Sequence, residues 1–126
     1  AIRHNRDRNR ARVDGLAENW APALYGAGAG GFTSGLINVF PAHSVRIHAA
    51  LARGDYEKAQ ALIERVMPFE DLRAQENNGT NVTVVKTALQ LMGNPCGATR
   101  PPSAWPLTAP QHQELSALMA GWNLLR

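Results

Sequence analysis

The sequence predicts an α/β fold in which an early strand–helix–strand alternation gives way to a long succession of helices. Two observations carry this. Between Val13 and Pro41 the chain passes from a small, apolar segment through the helix-forming stretch GLAENWAPALY to a second apolar segment, GFTSGLINVF. Such alternation is the pattern of a parallel sheet with crossover helices. After Pro41 the apolar residues recur at helical spacing to the end of the chain, so everything beyond it reads as helices with one buried face.

Taken in order, the chain shifts at Val13 from charged to apolar, and GLAENWAP reads as a strand end turning into a helix, with Asn19 as its cap and Pro22 in its first turn. Ala23, Leu24 and Tyr25 continue that helix until the glycines break it. The stretch from Gly26 to Pro41 reads as a buried strand with a polar inset. Phe32, Leu36, Ile37 and Val39 favour a pleated, enclosed segment, and Gly31 and Gly35 permit close backbone approach. Thr33 and Ser34 need partners there, either neighbouring carbonyls or a ligand.

Beyond Pro41, Ile47, Ala50 and Leu51 form an apolar stripe, and Gly54 stops that helix. Asp55 caps the next, whose inner face is Tyr56, Ala59, Ile63, Val66 and Met67. Pro68 kinks or ends it. Phe69 and Leu72 resume the spacing up to QENNGTN, which is turn chemistry. A helix from about Val82 places Val85, Leu89 and Met92 inward and ends at Gly93. Pro95, Pro101, Pro102 and Pro106 mark an extended loop, and Thr108 with Gln111 has capping-box spacing before a last helix that buries Leu115, Leu118, Met119 and Trp122.

At 126 residues and 44% hydrophobic content the chain suits one ordinary domain. No apolar run approaches the roughly 18 residues of a membrane span. The start, AIRHNRDRNRAR, lacks a signal-peptide pattern and begins with Ala1, so a segment of a longer protein is expected. The single cysteine, Cys96, excludes an internal disulfide framework and suits a reducing compartment, hence the cytoplasm. The charge of +3 is concentrated in Arg3, Arg6, Arg8, Arg10 and Arg12. These could grip phosphates or simply solvate a helix end, but no aromatic residue interleaves them to stack bases, and no nucleic-acid partner is expected.

Other motif matches fail on context. Gly26, Gly28 and Gly31 satisfy the letters of G-x-G-x-x-G, yet they precede a strand, whereas a dinucleotide loop follows one. Asn78-Gly79-Thr80 and Asn81-Val82-Thr83 match the glycosylation pattern but read as a polar turn. His4, His43, His48 and His112 lack zinc-ligand spacing, so neither a metal nor a cofactor is expected. Lys86, among Val84, Val85 and Leu89, fits a desolvated Schiff-base nucleophile or a lysine laying its stem along apolar surface with its ammonium in water.

The succession GLAENWAP, GAGAGGFTSGLINVFP, ALARGDYEKAQAL, NVTVVKTALQLMG and then RPP before a capped terminal helix resembles the C-terminal part of the dihydrodipicolinate synthase and N-acetylneuraminate lyase family. The resemblance runs from about Gly15 to the end. It implies the C-terminal part of a TIM barrel, with Val13 to Ala17 and Gly31 to Asn38 as the last two strands. Residues 1–53 would hold the last βα units and 54–126 an appended helical extension. The implied chemistry is that of a class I lyase, aldolase or dehydratase, in which a lysine forms a Schiff base with a 2-oxo acid such as pyruvate or a keto-deoxy sugar acid, and a tyrosine moves protons. The resemblance puts that lysine upstream of this segment and matches Lys86 to a different lysine, in the helical extension. No catalytic residue is then expected here.

In such barrels the active site lies at the C-terminal ends of the strands. By resemblance Gly15 and Glu18 stand on one wall, Glu18 where the lyase branch contacts a hydroxyl-bearing substrate tail; as a bare residue, Glu18 could instead favour the following helix through its dipole. Thr33, Ser34 and Gly35 match a second wall, and Asn38 matches a strand-ending asparagine of structural character. Ala17 stands where the lyase branch carries an acid, which argues against a sialic-acid substrate. The paired prolines and SGLIN resemble the keto-deoxyglucarate dehydratase side, leaving a sugar-acid dehydratase and a lysine-pathway synthase both open. The family also implies a homo-oligomer, a tetramer, with no membrane partner. An inactive relative and a freestanding helical interaction module are the competing readings.

Overall fold

The computed structural model describes residues 13–15, 17–102 and 104–125, so the arginine cluster from Arg3 to Arg12 lies outside the described residues. Strand β1 (Val13–Asp14) pairs in parallel with β2 (Gly31–Phe32), Val13 opposite Gly31 and Asp14 opposite Phe32. Parallel neighbours require a crossover, supplied here by a 3-10 turn (Glu18–Trp20) and α1 (Ala21–Gly26). Pro22 sits in the first turn of α1. Asn19 does not cap that helix: it falls inside the 3-10 turn, and Trp20 occupies the cap position with no side-chain hydrogen bond.

Both strands are shorter than expected, for local reasons. Ala17 has φ 68° and ψ −173°, a conformation that cannot continue a strand. After β2, residues Leu36–Val39 form a helical turn, α2, rather than more strand. Leu36 and Val39, both fully buried, are three residues apart, which puts them on one face of a helix but on opposite faces of a strand. The Ser34 hydroxyl accepts the Ile37 N–H at 3.3 Å, taking up one of the amide groups that a helix start leaves unpaired.

Helix α3 (Pro41–Ala52) buries Ile47, Ala50 and Leu51 as the spacing requires. The chain reverses through Gly54, at φ 74°, where a side chain would be strained. Asp55 then caps α4 (Tyr56–Glu64) by accepting the Lys58 N–H at 3.2 Å. Ala59 and Ile63 are buried on α4, whereas Tyr56 is exposed at its first turn. Helices α1, α3 and α4 pack on one another.

Pro68 falls in the first turn of a fresh helix, α5 (Met67–Asn78), which joins α6 (Asn81–Leu91) and α7 (Ala109–Gly121). Their core contains Val66, Phe69, Leu72, Val84, Ala88, Leu115, Met119 and Trp122. The Trp122 ring stacks on Phe40 at 5.5 Å and lies tilted against Phe69 at 5.9 Å. The buried face of α6 is Val84 and Ala88 instead of Val85, Leu89 and Met92, which are half-buried. Ala88 is small, and turning it inward lets α5 and α7 approach. Leu118 is likewise half-buried beside Leu115 and Met119.

The QENNGTN turn works through its asparagines and its threonine. Regular helix stops at Gln75, and Glu76, Asn77 and Asn78 adopt positive φ, a region asparagine tolerates better than most residues. The buried Thr80 hydroxyl donates to Leu72 O at 2.7 Å and Gln75 O at 3.2 Å, satisfying carbonyls left open at the end of α5. At Gly79 a Cβ would lie 2.0 Å from Trp105 Cδ1, so only glycine fits under that indole. The capping box of α7 is formed, with Thr108 accepting the Gln111 N–H and Gln111 accepting the Thr108 N–H. Lys86 spends its three N–H groups on the carbonyls of Cys96, Gly97 and Ala98, at 3.3, 3.4 and 2.8 Å, tying the proline loop to α6.

The chain divides into two compact units, one made of the described residues up to Ile37 together with Pro41–Arg65, the other of Asn38–Phe40 with Val66 onward. No described helix is long and apolar enough to cross a membrane.

Candidate functional site

Glu18 lies just beyond the C-terminal end of β1. The left-handed turn at Ala17 delivers it inward, and it is 0% exposed. A buried carboxyl demands hydrogen-bond partners. Two hydroxyls converge on its Oε1: Ser34, on the loop after β2, donates at 2.7 Å, and Ser44, on α3, donates at 2.8 Å. Its Oε2 is equally enclosed and has no hydrogen-bond partner among the described residues. One carboxyl therefore knots together the crossover turn, the β2–α2 loop and α3.

Ser44 also lines a mainly apolar cleft of about 290 Å³, with Phe32, Ile37, Pro41, Val45 and His48 around it. Tyr25 Oη lies 2.6 Å from His48 Nδ1, linking α1 to α3 beside this cleft.

His43, next to Ser44, is fully buried. Its Nε2 is 2.7 Å from Leu62 O, which can only accept, so the proton sits on Nε2; Nδ1 then accepts from Arg46 Nη2 at 3.0 Å. Burial lowers its pKa below the ordinary 6.5, and Arg46 and Arg65 lower it further against the opposing pull of the Leu62 carbonyl and Glu18. The unfolded chain thus takes up a proton below about pH 6.5 that the folded chain resists. Stability is expected to fall as pH drops below that value and to level off beneath the folded pKa. Thermal melts between about pH 7 and pH 5 check this: His43→Gln should flatten the pH dependence, and an unchanged slope would assign it to another group.

The structure brings Glu18 and Ser34 into direct contact. Thr33 is exposed and Gly35 half-buried on the same loop, while Gly15 is exposed ahead of the turn. Ser44 was legible only as a polar residue on an apolar stripe: it shares a helical face with Ile47 and Leu51. Lys86 belongs to the second unit, where it borders a separate cleft of about 590 Å³ with Thr83, Thr99 and His112. Among the described residues no three His, Cys, Asp or Glu side chains are grouped as metal ligands would be.

The model of the dihydrodipicolinate synthetase family matches residues 4–121. Among curated proteins, the chain is 32% identical over 108 residues to "Probable 5-dehydro-4-deoxyglucarate dehydratase" of Allorhizobium ampelinum, covering 85% of this chain and 35% of that one. It is 31% identical over 105 residues to the protein of the same name from Ralstonia nicotianae, covering 82% and 33%. Among solved structures, a dihydrodipicolinate synthase from Oceanobacillus iheyensis superposes with a TM-score of 0.82 at 49% identity, over 90% of this chain and 37% of that one. One from Bacillus clausii gives 0.80 at 39% identity, over 88% and 37%. The chain thus spans about a third of the length of the proteins it matches.

Proposed function

Because the chain belongs to the dihydrodipicolinate synthetase family, we propose that it is the C-terminal part of a class I Schiff-base lyase, an aldolase or dehydratase acting on a 2-oxo acid. In this reading β1 and β2 are the last two strands of a TIM barrel, residues 1–53 supply its last βα units, and 54–126 form the helical extension. The site wall consists of Gly15, Thr33, Ser34 and Gly35, with Glu18 behind it. The Schiff-base lysine lies outside these residues. The observation that carries the reading is the meeting of Glu18 and Ser34 just past the ends of two parallel strands, the end at which barrel enzymes bind substrate.

The names of the curated relatives favour a keto-deoxy sugar acid as substrate. The 49% identity to the Oceanobacillus iheyensis synthase structure favours a second reading, a lysine-pathway synthase that condenses pyruvate. Either enzyme would be a cytoplasmic homo-oligomer of four chains.

Borohydride trapping of the full-length protein with pyruvate and with keto-deoxy sugar acids, followed by peptide mapping, tests the proposal. An adduct on a lysine outside residues 1–126 is the expected result, and light scattering of the same sample should report the tetramer. An adduct on Lys86, or none with any 2-oxo acid, would overturn it.

A further inference from the structure

Asn78 is the one asparagine of the sequence that is followed by glycine. That pair carries a reaction of its own, because with no side chain on the following residue the Gly79 nitrogen can reach the carboxamide carbon of Asn78. The N–Cγ bond forms, the Gly79 amide proton leaves with the side-chain nitrogen as ammonia, and a five-membered imide remains. Water then opens the imide at either carbonyl. One product is aspartate in the ordinary main chain; the other is isoaspartate, whose main chain runs through the former side chain and is one carbon longer.

The turn both offers and restrains this reaction. Asn78 is exposed, with φ 65°, and it ends a run of three left-handed residues begun by Glu76 and Asn77, a strained conformation that favours local opening. Gly79, by contrast, is buried. Its N–H donates to Glu76 O at 2.9 Å, its carbonyl accepts the Trp105 N–H at 3.3 Å, and the Trp105 indole lies where a side chain on Gly79 would stand. The attacking nitrogen must first give up its bond to Glu76 and move against the indole. Trp105 is itself 57% exposed, on the proline loop, so this clamp can lift without the core coming apart.

We propose that Asn78 is a spontaneous deamidation site, that the Trp105 indole holds it in check by immobilising Gly79, and that the isoaspartyl product frees the proline loop. The extra main-chain carbon ahead of Gly79 shifts that residue from under the indole. The aspartyl product keeps the main-chain spacing, and aspartate tolerates the left-handed conformation much as asparagine does. The two products of one reaction therefore act differently on the loop. Nothing in this chemistry depends on the Schiff-base site.

The test ages the full-length protein and its Trp105→Ala variant side by side in mildly alkaline buffer, each also as a urea-unfolded sample. Ammonia release and peptide maps that separate aspartate from isoaspartate follow the reaction. Conversion is expected at Asn78 ahead of every other asparagine in residues 1–126. In the folded state Trp105→Ala should convert about tenfold faster than wild type, what one hydrogen bond at the upper end of its usual range is worth to an opening equilibrium. Unfolding should speed wild type by at least as much, and the two unfolded chains should convert alike. Asn78→Asp stands for the aspartyl product: amide exchange at Trp105 should match wild type there and be faster in the aged, isoaspartyl protein. Another asparagine converting first, equal rates in folded and unfolded wild type, equal rates in the two folded proteins, or unchanged Trp105 exchange in the isoaspartyl protein would each overturn the proposal. Should Trp105→Ala fail to fold, Trp105→Leu takes its place with the same expectation.

Discussion

Replacing Arg73 by methionine is expected to lower the unfolding free energy by about 3–5 kcal/mol, the usual cost of breaking a buried ion pair from one side. Arg73 Nη1 lies 2.7 and 2.6 Å from the two carboxylate oxygens of Glu70, and both side chains are no more than 10% exposed. Nη2 adds a bond to Asn81 Oδ1 at 2.9 Å, so the guanidinium also ties α5 to the start of α6. Methionine keeps much of the volume but takes the Arg73 cation away from an enclosed carboxylate. The double variant Glu70→Leu/Arg73→Met should recover part of the loss, because it removes both desolvated charges of the pair together. Urea titrations of the three proteins measure both quantities; a single-variant loss under about 1 kcal/mol would mean that water reaches the pair.

A loss of similar size, about 3–5 kcal/mol, is expected for Phe69→Ala. Phe69 is 0% exposed and touches the Trp122 ring, which in turn stacks on Phe40. Removing it takes away the transfer free energy of a whole ring and leaves a hole that α6 and α7 cannot easily fill. Trp20 and Trp105 are more than half exposed and Trp122 is 7% exposed, so a red shift in tryptophan emission would report on Trp122 and on this core. A stability change without that shift would place the damage elsewhere.

What the sequence revealed best was local. The Asp55 cap, the Thr108–Gln111 box, the glycine reversal at position 54 and the break at QENNGTN each depend on side chains within a few residues of the backbone they satisfy. Short apolar runs were less legible. Leu36 to Val39 suits a strand or a helical turn equally by composition, and the choice fell to Ser34, whose bond to Ile37 is not visible in a hydropathy pattern. The inward face of α6 shifted by one residue because packing preferred a small Ala88 over bulkier neighbours. In the candidate site, Glu18 and Ser34 could be paired through family resemblance, whereas Ser44 required the tertiary fold: it lies 26 residues from its partner in sequence and carries no motif.

Ala17 occupies a backbone conformation that, outside glycine, costs about 1–3 kcal/mol. A glycine substituted there would relax the turn, yet it would also free the chain directly ahead of the buried Glu18. The position therefore sets the strain of one residue against the definition of the turn, and the net effect of a glycine there is the relief of that strain less the added freedom of the unfolded chain.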